Sequence, residues 1–143
     1  MFLFDYYINC LASPGDILII DEPELNLHPN NQRWMASLLV RLVNSGIKIL
    51  FTTHSDFLVK EINNRIMLSQ LSEAKRDVFF DKKGFTSKDV LNPKQVKAYT
   101  VERNHKIQPI KSVAGGWLDM EIFDAEIAAS NELADDIYYS LDD

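Results

Sequence analysis

Two carboxylates stand together directly after an aliphatic run, in Ile17-Leu18-Ile19-Ile20-Asp21-Glu22-Pro23-Glu24. The run has no polar alternation, which suits a central strand of a parallel sheet covered on both faces. Asp21 and Glu22 then fall at the C-terminal end of that strand, the edge at which open α/β sheets bind ligands. One carboxylate can hold Mg²⁺, an ion that takes oxygen ligands and keeps several waters, while the other can orient or deprotonate water. On these residues alone the alternative stays open that the pair only ends a strand.

A second aliphatic run, Ile47 to Phe51, leads into Thr52-Thr53-His54-Ser55, and His54 lies 32 residues after Glu22. If the two runs are neighbouring parallel strands, their C-terminal ends share one edge, and the imidazole arrives beside the acid pair. There it could contact a nucleotide γ-phosphate or the attacking water. Ser55 and the start of the next helix could add backbone donors. Two other chemistries compete. His28, His54 and a carboxylate could bind a metal, although no HxxxH or HExxH spacing occurs. Asp21, Glu22 and Glu24 could serve a metal-dependent nuclease, but that leaves the register of His54 unexplained.

The elements that must position these residues are legible in part. Met35, Leu38, Leu39 and Leu42 share one face of a helix over residues 29–44, with Gly46 as its stop. Strand, helix, strand is the right-handed crossover unit of a parallel sheet. Ser55 and Asp56 cap a short helix that is expected to end near Asn63-Asn64. Residues 65–71 read as a further short strand and 71–92 as a surface excursion. Residues 95–102 and 106–113 alternate enough to pair around a turn near Asn104. Before this frame, Met1 to Ala12 has helical spacing and ends at Ser13-Pro14-Gly15-Asp16; after it, Gly115-Gly116 reads as a hinge. Met120, Phe123, Ile127, Ala134, Ile137 and Leu141 then mark an acidic amphipathic helix covering a sheet edge. Trp34 and Trp117 fit either core or interface.

Composition bounds the class. The 143 residues are 46% hydrophobic and 10% aromatic, enough for a packed core. Single Cys10 cannot form an internal disulfide, and no apolar run approaches the roughly 20 residues that span a bilayer. With no signal pattern at the start, the expected location is the cytoplasm, with no membrane contact. The net charge of −6 argues against a sequence-independent DNA clamp. From Asp119 onward there are nine carboxylates and no Lys or Arg, so the rest of the chain carries +3 and nucleic-acid contact stays open.

The ordered combination of Asp21-Glu22-Pro23-Glu24-Leu25-Asn26-Leu27-His28-Pro29 with Thr53-His54-Ser55 resembles the Walker B, D-loop and H-switch series of ABC-type ATPases. The likeness is nearest to the RecF, SMC and OLD-like branch of AAA-labelled bacterial ATPases, and it covers about residues 17–68. The resemblance implies Asp21 as the Mg²⁺ carboxylate, Glu22 as catalytic base and His54 as γ-phosphate sensor. It also implies that Asn26, Leu27 and His28, as the D-loop, and Ser55 face the nucleotide.

The pattern is incomplete. No GxxxxGK[ST] phosphate loop occurs in these residues, and the Ser-Gly-type signature expected before the Asp21-Glu22 pair is absent. The expected fold class is therefore α/β, an incomplete P-loop NTPase. Residues 1–70 would be the C-terminal half of the ATPase core, with parallel strands flanked by helices. Residues 71–143 would be an extension, a β-hairpin and acidic helix, packing on it. ATP and Mg²⁺ would be used only in a site completed by an N-terminal half carrying Walker A and signature motifs, or by a full-length ATPase. Such families act in DNA maintenance or anti-phage defence, with nucleic acid reached through the whole assembly. The alternative is a non-catalytic regulatory module. Uncovered edges and apolar faces also predict self-association, through residues 1–11 or the sheet edge.

Overall fold

In a computed structural model, residues 12–101 and 105–121 are described, together with 128, 131, 132, 135 and 138. The expected first helix, the turn at Asn104, and nearly all of the acidic helix lie outside the described residues.

The crossover unit forms as its periodicity predicts. Strand β1 (Ile17–Asp21) pairs in parallel with β2 (Lys48–Thr52), and helix α1 (Pro29–Asn44) joins them. The register sets Ile19 opposite Leu50 and Asp21 opposite Thr52. Pro29 opens α1, where its missing N–H costs nothing, and the His28 imidazole caps it by accepting from the Asn30 N–H at 3.3 Å. At its end Ser45 N–H bonds back to Arg41, and Gly46 takes φ +95°, a left-handed conformation that favours glycine. Gly46 then accepts from Gly15 N–H at 2.8 Å, which ties the turn before β1 to the entry of β2.

Helix α2 (Asp56–Gln70) packs on α1. Ala36 and Val40 of α1 meet Leu58, Ile62 and Ile66 of α2 and Leu91 from beyond it, with Met35, Val43, Phe51, Val96 and Trp117 against this core. One face of the sheet is thereby covered. The other is not: Ile17, Ile19 and Leu50 are 64%, 72% and 62% exposed. The expectation of a strand covered on both faces fails for this reason.

Three further expectations are corrected. The helix does not end at Asn63-Asn64, and residues 65–70 form no strand; α2 continues to Gln70. Asn63, a poor helix former locally, is buried because its amide donates to Leu118 O at 2.9 Å and accepts from Leu118 N–H at 2.8 Å. Arg65 is buried beside Glu61 one turn back, donating to its carboxylate at 2.8 Å and its carbonyl at 2.7 Å, with the guanidinium 5.4 Å from the Phe85 ring centre. The expected surface excursion holds helix α3 (Glu73–Lys83), closed by Gly84 at φ +72°, and a 3-10 turn, Ser87–Asp89.

Gly115-Gly116 is also no hinge but a packed turn. A Cβ on Gly115 would lie 1.6 Å from the Trp117 ring, and one on Gly116 would lie 2.7 Å from Pro93 Cβ. Ser112 bridges to Leu118 across it. A second 3-10 turn, Pro93–Gln95, precedes β3 (Tyr99–Val101), which pairs antiparallel with β4 (Ile107–Pro109). Trp117 packs against the core, whereas Trp34 is 71% exposed. Among the described residues, no helix is long and apolar enough to cross a membrane.

Candidate functional site

The parallel pairing of β1 and β2 brings their C-terminal ends side by side, so the residues just beyond each strand meet. Glu22 N–H donates to Thr52 O and to Thr52 Oγ1, each at 3.2 Å, which extends the ladder by one residue past β1. Thr52 Oγ1 in turn donates to Asp21 Oδ1. The acid pair and the switch segment are thus linked through backbone and hydroxyl.

From this platform His54 Nε2 stands 3.5 Å from Glu22 Oε1. The imidazole is 90% exposed and the Glu22 side chain 31% exposed. Both can therefore reach a ligand without leaving the fold. Asp21 is exposed at the same edge. Glu22 has φ 43° and Asn26 φ 61°, conformations that cost a non-glycine residue on the order of 1 kcal/mol. The left-handed turn at Glu22 begins a compact loop in which Leu25 N–H donates to Glu22 O and Leu27 N–H to Glu24 O, both at 2.9 Å. Backbone strain of this kind persists where surrounding bonds over-determine it.

Glu24 supplies much of that surrounding. It is 7% exposed, and its Oε1 accepts from the Thr53 hydroxyl and from His54 N–H at 3.3 Å. Gln32 forms a second tie: its amide donates to Leu27 O at 3.1 Å and accepts from the Ser55 hydroxyl at 2.7 Å. Sequence reasoning assigned no role to Gln32 and used Glu24 only as a nuclease ligand. The available signal for Glu24 was a third carboxylate in the string, set between Pro23 and Leu25.

The remaining candidate positions are distributed as follows. Asn26 is exposed, Leu27 half-buried with its carbonyl engaged by Gln32, and His28 caps α1. The Ser55 hydroxyl is committed twice, accepting from Leu58 N–H at 3.0 Å as the cap of α2 and donating to Gln32. Metal binding by three side chains is not supported among the described residues: no three His, Cys, Asp or Glu side chains gather. Glu24 turns inward to Thr53 while Asp21 faces Thr52, which separates the nuclease set. Asp21 fits a different arrangement, one carboxylate holding a Mg²⁺ that keeps its waters and takes phosphate oxygens.

Comparison with known proteins gives the family likeness of the stretch that carries this edge. Residues 6–59 match the AAA ATPase domain family. A protein of Methanosarcina acetivorans named as an ABC transporter ATP-binding protein is 38% identical over 58 residues, 41% of this chain and 21% of that protein. One of Caldanaerobacter subterraneus, named likewise, is 32% identical over 53 residues, 37% of this chain and 22% of its own length. YhaQ of Bacillus subtilis, an uncharacterized ABC transporter ATP-binding protein, is 32% identical over 89 residues, 56% of this chain and 29% of YhaQ. The matched stretches thus span less than a third of each relative. No solved structure matches.

Proposed function

We propose, from the premise that residues 6–59 are a segment of an ABC/AAA-type ATPase, that the edge formed by Asp21, Glu22 and His54 is the hydrolytic side of a nucleotide site. The observation that carries this reading is the approach of His54 Nε2 to Glu22 Oε1, 3.5 Å, at the ends of adjacent parallel strands with both side chains open to solvent. A base and a phosphate-facing imidazole need that proximity, since attack on phosphorus is promoted chiefly by positioning and charge stabilisation.

Glu22 would accept the proton of the attacking water, from a carboxylate that stands beside His54. His54 would donate to the γ-phosphate. Asp21, steadied by Thr52, would hold Mg²⁺. Bound Mg²⁺ neutralises phosphate charge. Asn26, Leu27 and His28 would form the D-loop that faces the nucleotide. Ser55 contributes through the first turn of α2, whose N–H groups it helps orient, more than through its own hydroxyl.

The residues fit the γ-phosphate end of ATP only. No phosphate loop occurs among the 143 residues, so the α- and β-phosphates require a Walker A-bearing segment from elsewhere, an N-terminal half or a full-length ATPase. Exposed Ile17, Ile19 and Leu50 offer that segment an apolar sheet face, and the same face favours self-association when it is absent. Nucleic acid would be engaged by the assembled ATPase, in DNA maintenance or anti-phage defence. Residues 71–143 act as an extension on the core, as the Asn63–Leu118 bonds suggest.

The test is to supply the Walker A-bearing segment and measure phosphate release. Turnover that Glu22→Gln lowers at least about 100-fold is expected. A stable complex with no turnover would replace this reading with a regulatory module, which the missing phosphate loop also favours.

A further inference from the structure

Glu24 is a carboxylate that the hydrolytic roles leave unused. It is 7% exposed, follows the strained turn at Glu22, and reaches across to the loop after β2. Its Oε1 receives two donors from consecutive residues, the Thr53 hydroxyl and His54 N–H. Thr53 Oγ1 also accepts from Ser55 N–H at 3.0 Å, so the carboxylate organises three successive residues of the switch segment. Its second oxygen, Oε2, is buried with no hydrogen-bond partner. A buried carboxylate with one unsatisfied oxygen is costly, and a neutral apolar residue would avoid that cost. Packing therefore does not explain its presence, whereas the bonds made by Oε1 do.

Among the described residues, Glu24 is the group that accepts from the His54 N–H. The imidazole is 90% exposed and touches Glu22 only at its tip. Without Glu24, the segment 53–55 would be held by the Ser55 hydroxyl, through its cap of α2 and its bond to Gln32, and neither of these reaches the His54 main chain. Glu24 sits on the same short loop as Glu22, so its bonds join the loop after β1 to the loop after β2.

We infer that Glu24 is a positioning residue, a latch between the loops after β1 and β2 that keeps His54 in register with Glu22. In this role it acts through His54. This rests on the ATPase reading for its purpose, but the latch itself can be measured in the 143-residue chain with no nucleotide present.

Amide hydrogen exchange followed by NMR is the test. Glu24→Ala is expected to raise His54 N–H exchange about tenfold or more while Val40 and Ile66 amides in α1 and α2 stay unchanged. Glu24→Gln, which keeps an acceptor oxygen, is expected to restore protection to within about threefold. Unchanged His54 exchange in folded Glu24→Ala would overturn the latch, as would a uniform rise that includes the helical amides. Should Glu24→Ala fail to fold, Glu24→Leu, which keeps the bulk of the side chain but offers no acceptor to His54 N–H, carries the same expectation and the same refutation. In the completed site, Glu24→Ala is expected to lower kcat with KM for ATP within about twofold. Absence of turnover in the completed wild-type site would defeat the ATPase reading, and the exchange data would still decide the latch.

Discussion

Glu22 and Asp89 are both carboxylates at the end of a structural element, yet they occupy opposite surroundings. Asp89, on the 3-10 turn after α3, is 1% exposed and saturated with donors: Arg41 Nε and Nη2 at 2.9 Å each, the Ser37 hydroxyl, and Thr86 through N–H at 2.9 Å and hydroxyl at 2.8 Å. Burial pushes its carboxyl up, but the bonds from Arg41, Ser37 and Thr86 outweigh this and hold it well below the usual carboxylate range. The bond to Asp89 likewise pushes Arg41 up. Glu22 faces one imidazole at 3.5 Å and is open to solvent. A carboxylate whose lone pairs are all taken fixes the fold and has nothing left for a ligand. One left partly unsatisfied at an exposed edge can take a proton or orient water.

The contrast can be broken most forcefully at Asp89. Asp89→Ala should destabilise the chain by about 2–3 kcal/mol, at or below the lower limit for breaking a fully buried pair, because half-exposed Arg41 can turn to water. Urea unfolding measures it, and a loss no larger than that of Glu22→Ala would dissolve the distinction. Acid sharpens the same point. Asp89 titrates lower in the folded chain than in the unfolded one, so its stabilisation is complete above the ordinary carboxylate value. It disappears as pH falls from there through the depressed folded value. Asp89→Asn should flatten that part of the acid unfolding curve.

A smaller effect is expected at the strained loop. Asn26→Val places a β-branched residue at φ 61° and should cost about 1–2 kcal/mol by the same urea assay. A neutral outcome would mean that the loop relaxes and that its left-handed turns are not imposed by Glu24 and Gln32. Least of all should change with His54→Ala, whose melting midpoint is expected to match that of the parent, since the imidazole packs against little. A marked drop in midpoint would make His54 a structural residue.

Both regions were read unequally from the sequence. The acid pair and His54 were found because each directly follows an aliphatic run, and chain order in a crossover unit places both run ends at one edge. Asp89 was passed over inside a charged stretch, since its partners Ser37 and Arg41 lie 52 and 48 residues away and leave no local trace. Glu24 was hidden for the same reason: Thr53 is 29 residues distant.

What the amino-acid order alone determined is the strand-helix-strand unit, the caps at Ser55 and Gly46, and the types of group offered at the strand ends. Those follow from periodicity, turn chemistry and connectivity, all of which act over a few residues. Tertiary structure decided which charges are buried and which stay open. It carried α2 through Asn63 and Arg65, because Leu118 and Glu61 satisfy their side chains. It turned Gly115-Gly116 into a packed corner and left Ile17, Ile19 and Leu50 exposed. A polar side chain's cost depends on whether a partner from elsewhere in the chain reaches it, and that is settled only when the elements pack.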